Sequence, residues 1–288
     1  MLERYLPFTV EVANALVDHI RKESEKSANG EVDMRQIAGR WALETAALTA
    51  FEKRVGALSD RIQWADDLKF AVPLYRYFPT RKWRKMVELE DRFYAEANIL
   101  IDEAIEKLRD EQQSEEEMKF AGLLINRKEL NVNDVKIILL SMFSDGLSTT
   151  APMLIYNLFN IASHPDAQDE LRTELNTVVE NGAEITAGAL TQLPFLRACI
   201  KETFRLFPIG TEISRIPQKD LVLSGYAVPA GTAVDINTNV LMKSSALFNN
   251  PLTFEPTRWL RSTAQQQDHH PFAFLPFGFG PRMCAGML

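Results

Sequence analysis

Apolar residues recur at helical spacing through most of the first two thirds of the chain. Val10, Ala13, Leu16, Val17 and Ile20 share one face, and Ile37, Trp41, Leu43, Ala47 and Leu48 share another, so each set predicts an amphipathic helix. Pro73 and Pro79 bracket a predicted loop, and residues 81–111 then form a charged amphipathic segment that would run ~45 Å if fully helical. The pattern changes between Asn131 and Ser163. Ile137, Ile138, Leu139, Leu140, Met142 and Phe143 are apolar on every side, which predicts a buried helix of ~50 Å, capped by Asn133 and ended by His164-Pro165. A helix after Pro165 and another from Pro194 to Phe207 follow.

Beyond Pro208 the texture becomes β-like. Leu221-Val222-Leu223, a turn at Ser224-Gly225, Tyr226-Ala227-Val228, a turn at Pro229-Ala230-Gly231 and then Thr232-Ala233-Val234 predict short strands. The fold class is therefore mainly α with a small β-rich part. At 288 residues and 46% hydrophobic the chain can bury a sizeable core, and no linker-like tract divides it, so residues 1–288 are expected to form a single domain.

A net charge of −7 argues against nucleic acid as a partner. Two cysteines, Cys199 and Cys284, make no disulfide framework and fit a reducing compartment. No run of eighteen apolar residues is present, so no membrane span is expected. The start, Met1 to Pro7, has the features of neither a secretory signal nor a transit segment.

The stretch from Phe277 to Gly286 carries the chemistry. Phe277 sets a flat apolar ring seven residues before Cys284, and Gly278 and Gly280 let the backbone turn and approach a planar cofactor. Arg282 brings a planar cation suited to a propionate. Cys284 offers a soft anionic ligand, and a thiolate below haem iron donates the electron density that favours O–O cleavage. Ala285 and Gly286 are small, as expected where a helix begins against a porphyrin. The bland alternative is a Gly/Pro-rich surface loop carrying one buried cysteine. Six specified positions in order favour the cofactor socket.

These residues resemble the haem-binding signature of the cytochrome P450 family. The resemblance implies the cytochrome P450 fold over essentially the whole chain, haem b (iron protoporphyrin IX) as cofactor, Cys284 as iron ligand and Arg282 at a propionate. It also implies that Arg215 reaches the second propionate, the alternative being a strand-edge arginine facing water. In Ser144-Asp145-Gly146-Leu147-Ser148-Thr149-Thr150, polar side chains interrupt an apolar run. Gly146 would leave room for a ligand, and Pro152 deprives the Ser148 carbonyl of its helical partner, so the helix is expected to open at Ser148 and Thr149.

By resemblance dioxygen sits there and Thr149 steers protons. The family usually has an acid before that threonine, whereas this chain has Ser148, with Asp145 one turn earlier as a possible replacement. Simple back-bonding of both hydroxyls to the preceding turn is the alternative. Ile209 to Ile213 would join this face in lining the substrate pocket.

Glu202 and Arg205, at i and i+3, match the family's E-x-x-R pair, with Arg258 as third member. Thr257 stands where the family normally has Glu. Arg197 and Lys201 make a basic strip suited to an acidic docking partner, the alternative being an ordinary solvated basic face. Leu196 to Thr203, Trp41 with Glu44, Arg54-Val55-Gly56, and Tyr77 to Thr80 with Trp83 look like the mitochondrial class. That resemblance implies a ferredoxin-type electron donor, the matrix side of the inner membrane, and a hydrophobic sterol-like or xenobiotic substrate. His269-His270 is read as solvent-exposed, not as a metal site with Cys284, and Cys199 as core.

Two alternatives accompany the monooxygenase reading. One is a haem-thiolate isomerase or dehydratase, against which Thr149 argues. The other is a catalytically inactive truncated paralogue. Family members are longer, so the chain is expected to lack part of the family fold at both ends, including most of the larger sheet and the helix after Cys284. Four residues beyond that cysteine do not nucleate a helix by themselves.

Overall fold

The computed structural model describes residues 2–51, 54, 81–110, 120–179, 185–260, 270–284 and 286. Its contacts gather in two compact units, Met1–Ala151 and Pro152–Leu288, where the sequence predicts a single domain.

In the first unit α1 (Leu2–Lys26) and α2 (Met34–Phe51) lie against each other, and α3 (Arg81–Asp110) and α4 (Phe120–Ile125) follow. The long charged segment is thus helical over 30 residues, as its period predicts. Its buried stripe, Ala97, Ile101, Ala104 and Ile105, packs with Leu43, Ala47 and Ala50 of α2 and Ala121 of α4. The loop bracketed by Pro73 and Pro79, together with Val55-Gly56 and Tyr77 to Thr80, lies outside the described residues.

Helix α5 (Val132–Ser163) differs from its expectation in four ways. Asn131, not Asn133, caps it: Asn131 Oδ1 accepts from the amides of Asn133 (2.9 Å) and Asp134 (3.0 Å), while Asp134 Oδ2 accepts from the Asn131 amide. This is a reciprocal capping box with an acid in the first turn.

The helix is not buried on every side. Val135, Leu139 and Phe143 form its buried stripe, whereas Ile137 is 62% exposed and Phe159 56% exposed. Burial follows the i, i+4, i+8 face that meets the stripes of α2 and α3, and an all-round apolar sequence does not reveal which face that is. By length and composition alone the helix is also apolar enough to cross a membrane, with a mean hydropathy of 1.3, a property that the count of consecutive apolar residues missed.

Finally, the helix runs uninterrupted through Ser148, Thr149 and Pro152 instead of opening there. Gly146 serves helix packing: a Cβ at this position would lie 3.3 Å from Ala46 Cβ on α2.

The second unit holds α6 (Pro165–Val178), α7 (Ala187–Thr191), α8 (Pro194–Leu206), α9 (Thr238–Met242) and two small sheets. Strands β2 (Leu221–Leu223) and β3 (Tyr226–Val228) form the predicted hairpin, closed by Ser224 and Gly225, both at positive φ as a tight primed turn requires. The next piece starts at Val234, not Thr232. It is β4 (Val234–Asn237), paired antiparallel with β1 (Glu212–Arg215), a partner that short-range pattern does not reveal. The core comprises Leu171, Phe195, Cys199, Leu206 and Phe254.

Candidate functional site

Two groups of candidate residues lie in different units, and each is described by itself. The cysteine loop belongs to the second. Phe279 leads into a short 3₁₀ turn, Gly280–Arg282, and Cys284 follows it, exposed and free. Gly278 (φ 75°) and Gly280 (φ 81°) both occupy the left-handed region, where a side chain would be strained. The turn is pinned by its backbone: the Cys284 amide donates to the Phe277 carbonyl at 2.9 Å, and the Met283 amide donates to Gly280 at 3.0 Å. Gly286 lies beside the sulfur, since a Cβ there would be 3.7 Å from Cys284 Sγ. Arg282 is exposed and no carboxylate pairs with it among the described residues.

The second unit also holds a buried charge network centred on Glu202 of α8. Glu202 Oε1 accepts from Arg205 Nη2 (2.8 Å), Arg258 Nε (3.0 Å) and the Glu255 amide (3.1 Å). Its Oε2 accepts from Arg205 Nε (2.9 Å) and Trp259 Nε1 (2.8 Å). Arg205 also donates to the carbonyls of Met242, Pro251 and Thr253. Glu202 and Arg205 are fully buried. Each nitrogen of the Arg205 and Arg258 guanidinium groups and both Glu202 carboxylate oxygens have a hydrogen-bond partner, the condition under which such a pair is tolerated. Sequence reasoning identified Glu202, Arg205 and Arg258 but missed Trp259 and Glu255. The carboxylate of Glu255 meets Arg258 Nη2 at 2.9 Å and supplies a charge that Thr257 does not. The i, i+3 spacing of Glu255 and Arg258 was the available signal.

The amino end of α8 has no side-chain cap of its own. Glu174 of α6 takes that role, accepting from the amides of Phe195 (2.7 Å) and Leu196 (2.9 Å). Cys199 is in the core, as expected, and burial, then Glu174 and Glu170, push its thiol up to about 12. Arg197 and Lys201 are both exposed, yet each has a neighbour. Arg197 donates to the carbonyls of Leu190 and Thr191, and Lys201 Nζ lies 5.8 Å from the Trp259 ring centre. Arg215 ends β1, exposed, with Nη1 on the Ser214 carbonyl. His270 is exposed and Nδ1 accepts from the Phe272 amide, and no cluster of metal-binding residues occurs among the described residues.

In the first unit, Asp145, Ser148 and Thr149 are exposed on α5. Thr149 Oγ1 donates to the Asp145 carbonyl at 2.8 Å and Ser148 Oγ does so at 3.2 Å. Back-bonding, the alternative weighed from the sequence, is what the hydroxyls do, and the carbonyl they share is that of Asp145, not the Ser148 carbonyl that Pro152 leaves without an amide. The Asp145 carboxylate takes no part in those two bonds. Glu44, fully buried on α2, is neutralised by Arg54 Nε at 2.7 Å, and Arg54 Nη1 reaches Glu11 of α1. These carboxylates raise the Arg54 pKa.

The cytochrome P450 family matches residues 1–288. The chain belongs to the cytochrome P450 family. It is similar to a probable cytochrome P450 CYP44 of Caenorhabditis elegans, 53% identical over 99% of this chain and 58% of that protein. It is also similar to the mitochondrial cytochrome P450 11B of Aquarana catesbeiana, at 30% identity over 99% of this chain and 57% of the relative. The mitochondrial cholesterol side-chain cleavage enzyme of Capra hircus is 29% identical over 99% of this chain and 58% of its own length. The chain therefore spans a little more than half the length of these relatives, two of which are mitochondrial by name. P450 proteins bind haem b, and the cysteine loop fits that group. Its sulfur is exposed and free, the two residues that follow it in sequence are Ala and Gly, and Arg282 is available for a carboxylate.

Proposed function

We propose that residues 1–288 contribute one haem-thiolate domain to a monooxygenase that inserts one oxygen atom into a hydrophobic, sterol-like or xenobiotic molecule. The observation that carries this reading is the pinned loop that presents Cys284 Sγ free between two left-handed glycines and Gly286. Cys284 would ligate the iron, Arg282 and Arg215 would hold propionates, and Phe277, Gly278 and Gly286 would pack beside the ring. When bound, the haem supplies oxygen activation, one atom of dioxygen entering the substrate and the other leaving as water with an electron pair from the donor.

The chain's own residues would manage protons and access. Thr149 spends its hydrogen on the Asp145 carbonyl, as Ser148 does, so its oxygen lone pairs remain to accept a hydrogen bond from solvent. The exposed Asp145 carboxylate lies one turn away as the replacement acid. The basic strip of Arg197 and Lys201 would dock an acidic ferredoxin in the mitochondrial matrix, beside the inner membrane.

The test is turnover of a sterol panel by the purified protein under labelled dioxygen, with ferredoxin and its reductase. Product carrying the label, only when the ferredoxin is present, supports the proposal. Unlabelled, rearranged product formed without a reductant would favour an isomerase or dehydratase, and no turnover with any donor would favour an inactive paralogue.

A further inference from the structure

The residue between Thr203 and Arg205 is the only one of positions 202 to 206 on α8 that is not fully enclosed. Glu202, Thr203, Arg205 and Leu206 are buried, and Arg205 is bonded to three carbonyls from the segment between Met242 and Thr253, so the helix backbone around Phe204 is fixed from both sides. The Phe204 ring points at the cysteine loop, with its centre 4.9 Å from that of Phe277 and the planes tilted by 57°. Phe207, three residues on, stacks instead on Tyr156 and serves a different neighbour. Beyond Phe277 the connection to the sulfur is short: the Phe277 carbonyl accepts the amide of Cys284 itself at 2.9 Å. A rigid helix, a ring pair and one backbone hydrogen bond thus run in sequence to the ligand residue.

We propose that Phe204 is a positioning residue for the thiolate loop: its ring holds Phe277, and through the Phe277 carbonyl it holds the Cys284 backbone. The inference rests on the reading of Cys284 as the haem ligand. Phe204 touches no reacting atom. It limits how far the turn can open, and so sets how closely the thiolate is held.

Amide hydrogen exchange reads the hydrogen bond directly, because exchange at Cys284 requires the loop to open. In the 288-residue chain without haem, Phe204→Leu should raise exchange of the peptide covering residues 277–286 by about two- to tenfold, the range given by the strength of a ring pair. Phe204→Tyr, which keeps the ring, should match the parent, and the α8 peptide should be unchanged in both. Unchanged loop exchange in Phe204→Leu would overturn the proposal. An equal rise in α8 would overturn it too, since the residue would then act on the whole unit.

In the haem-loaded protein the reduction potential should move in Phe204→Leu and return in Phe204→Tyr. A potential indifferent to both would contradict the proposal. If the protein takes up no haem, the haem-thiolate reading fails, while the exchange result still decides whether Phe204 holds the loop.

Discussion

Glu202 is the side chain whose loss the second unit should feel most. It accepts five hydrogen bonds, three of them from guanidinium groups of the buried Arg205 and Arg258. Glu202→Gln preserves shape but removes the charge and turns amide hydrogens toward donors. Arg205 keeps its three carbonyl acceptors and Arg258 keeps Glu255, so the network is weakened, not abolished. Breaking one member of a buried charge pair costs about 3–5 kcal/mol. That is a large share of a domain stability of about 5–15 kcal/mol. At about 2–4 °C per kcal/mol, the melting temperature should fall by roughly 6–20 °C. Thermal melts followed by circular dichroism, with urea unfolding for the free energy, measure this. In a double-mutant cycle with Arg258→Met the two losses should be non-additive by at least about 0.5 kcal/mol. A loss below about 1 kcal/mol for Glu202→Gln, comparable to removing an ordinary hydrogen bond, would refute the reasoning.

Other consequences follow from the same contacts. Replacing Asn131 by Ala removes the α5 cap and should cost about 1 kcal/mol in urea unfolding, while Asn133→Ala, whose side chain is not the cap, should cost less than half of that. Glu174→Ala leaves the amides of Phe195 and Leu196 without their acceptor and should lower stability by about 1–3 kcal/mol. The Cys199 thiol is pushed up to about 12 from an ordinary 9.0, so the folded state holds its proton where the unfolded state has lost it. Its contribution is complete below pH 9.0 and is lost as pH rises toward about 12, so Cys199→Ala should flatten the alkaline fall in stability across that window. For the same reason iodoacetamide at neutral pH should label Cys284 alone in the folded haem-free chain and both cysteines in denaturant, read by mass spectrometry.

Local signals were legible in the sequence and non-local ones were not. The period of residues 81–110, the stop at His164-Pro165, the helix start at Pro194, and the hairpin at Ser224-Gly225 all depend on neighbours within a few residues, and the structure shows each. The pairing of β1 with β4 joins residues 19 to 25 apart, so no short window contains it. The face of α5 that is buried is chosen by α2 and α3, and an all-apolar period cannot name it. Pro152 leaves the Ser148 carbonyl without its amide, yet the helix continues instead of opening, and the hydroxyls of Ser148 and Thr149 bond the Asp145 carbonyl of the preceding turn.

At the site, the cysteine loop was readable because a left-handed turn needs glycines at fixed places, and Gly278 and Gly280 occupy them. Trp259 was not, because a half-buried indole partner for Glu202 comes from a segment more than fifty residues away.

The central claim is that Cys284 is the thiolate ligand of a haem, and the spectrum of the reduced, carbon monoxide-treated protein tests it most directly. The account predicts a red-shifted Soret band of the thiolate type that is lost in Cys284→Ser and kept in Cys199→Ser. A thiolate-type band that survives Cys284→Ser, or the absence of bound haem in the parent, would contradict it.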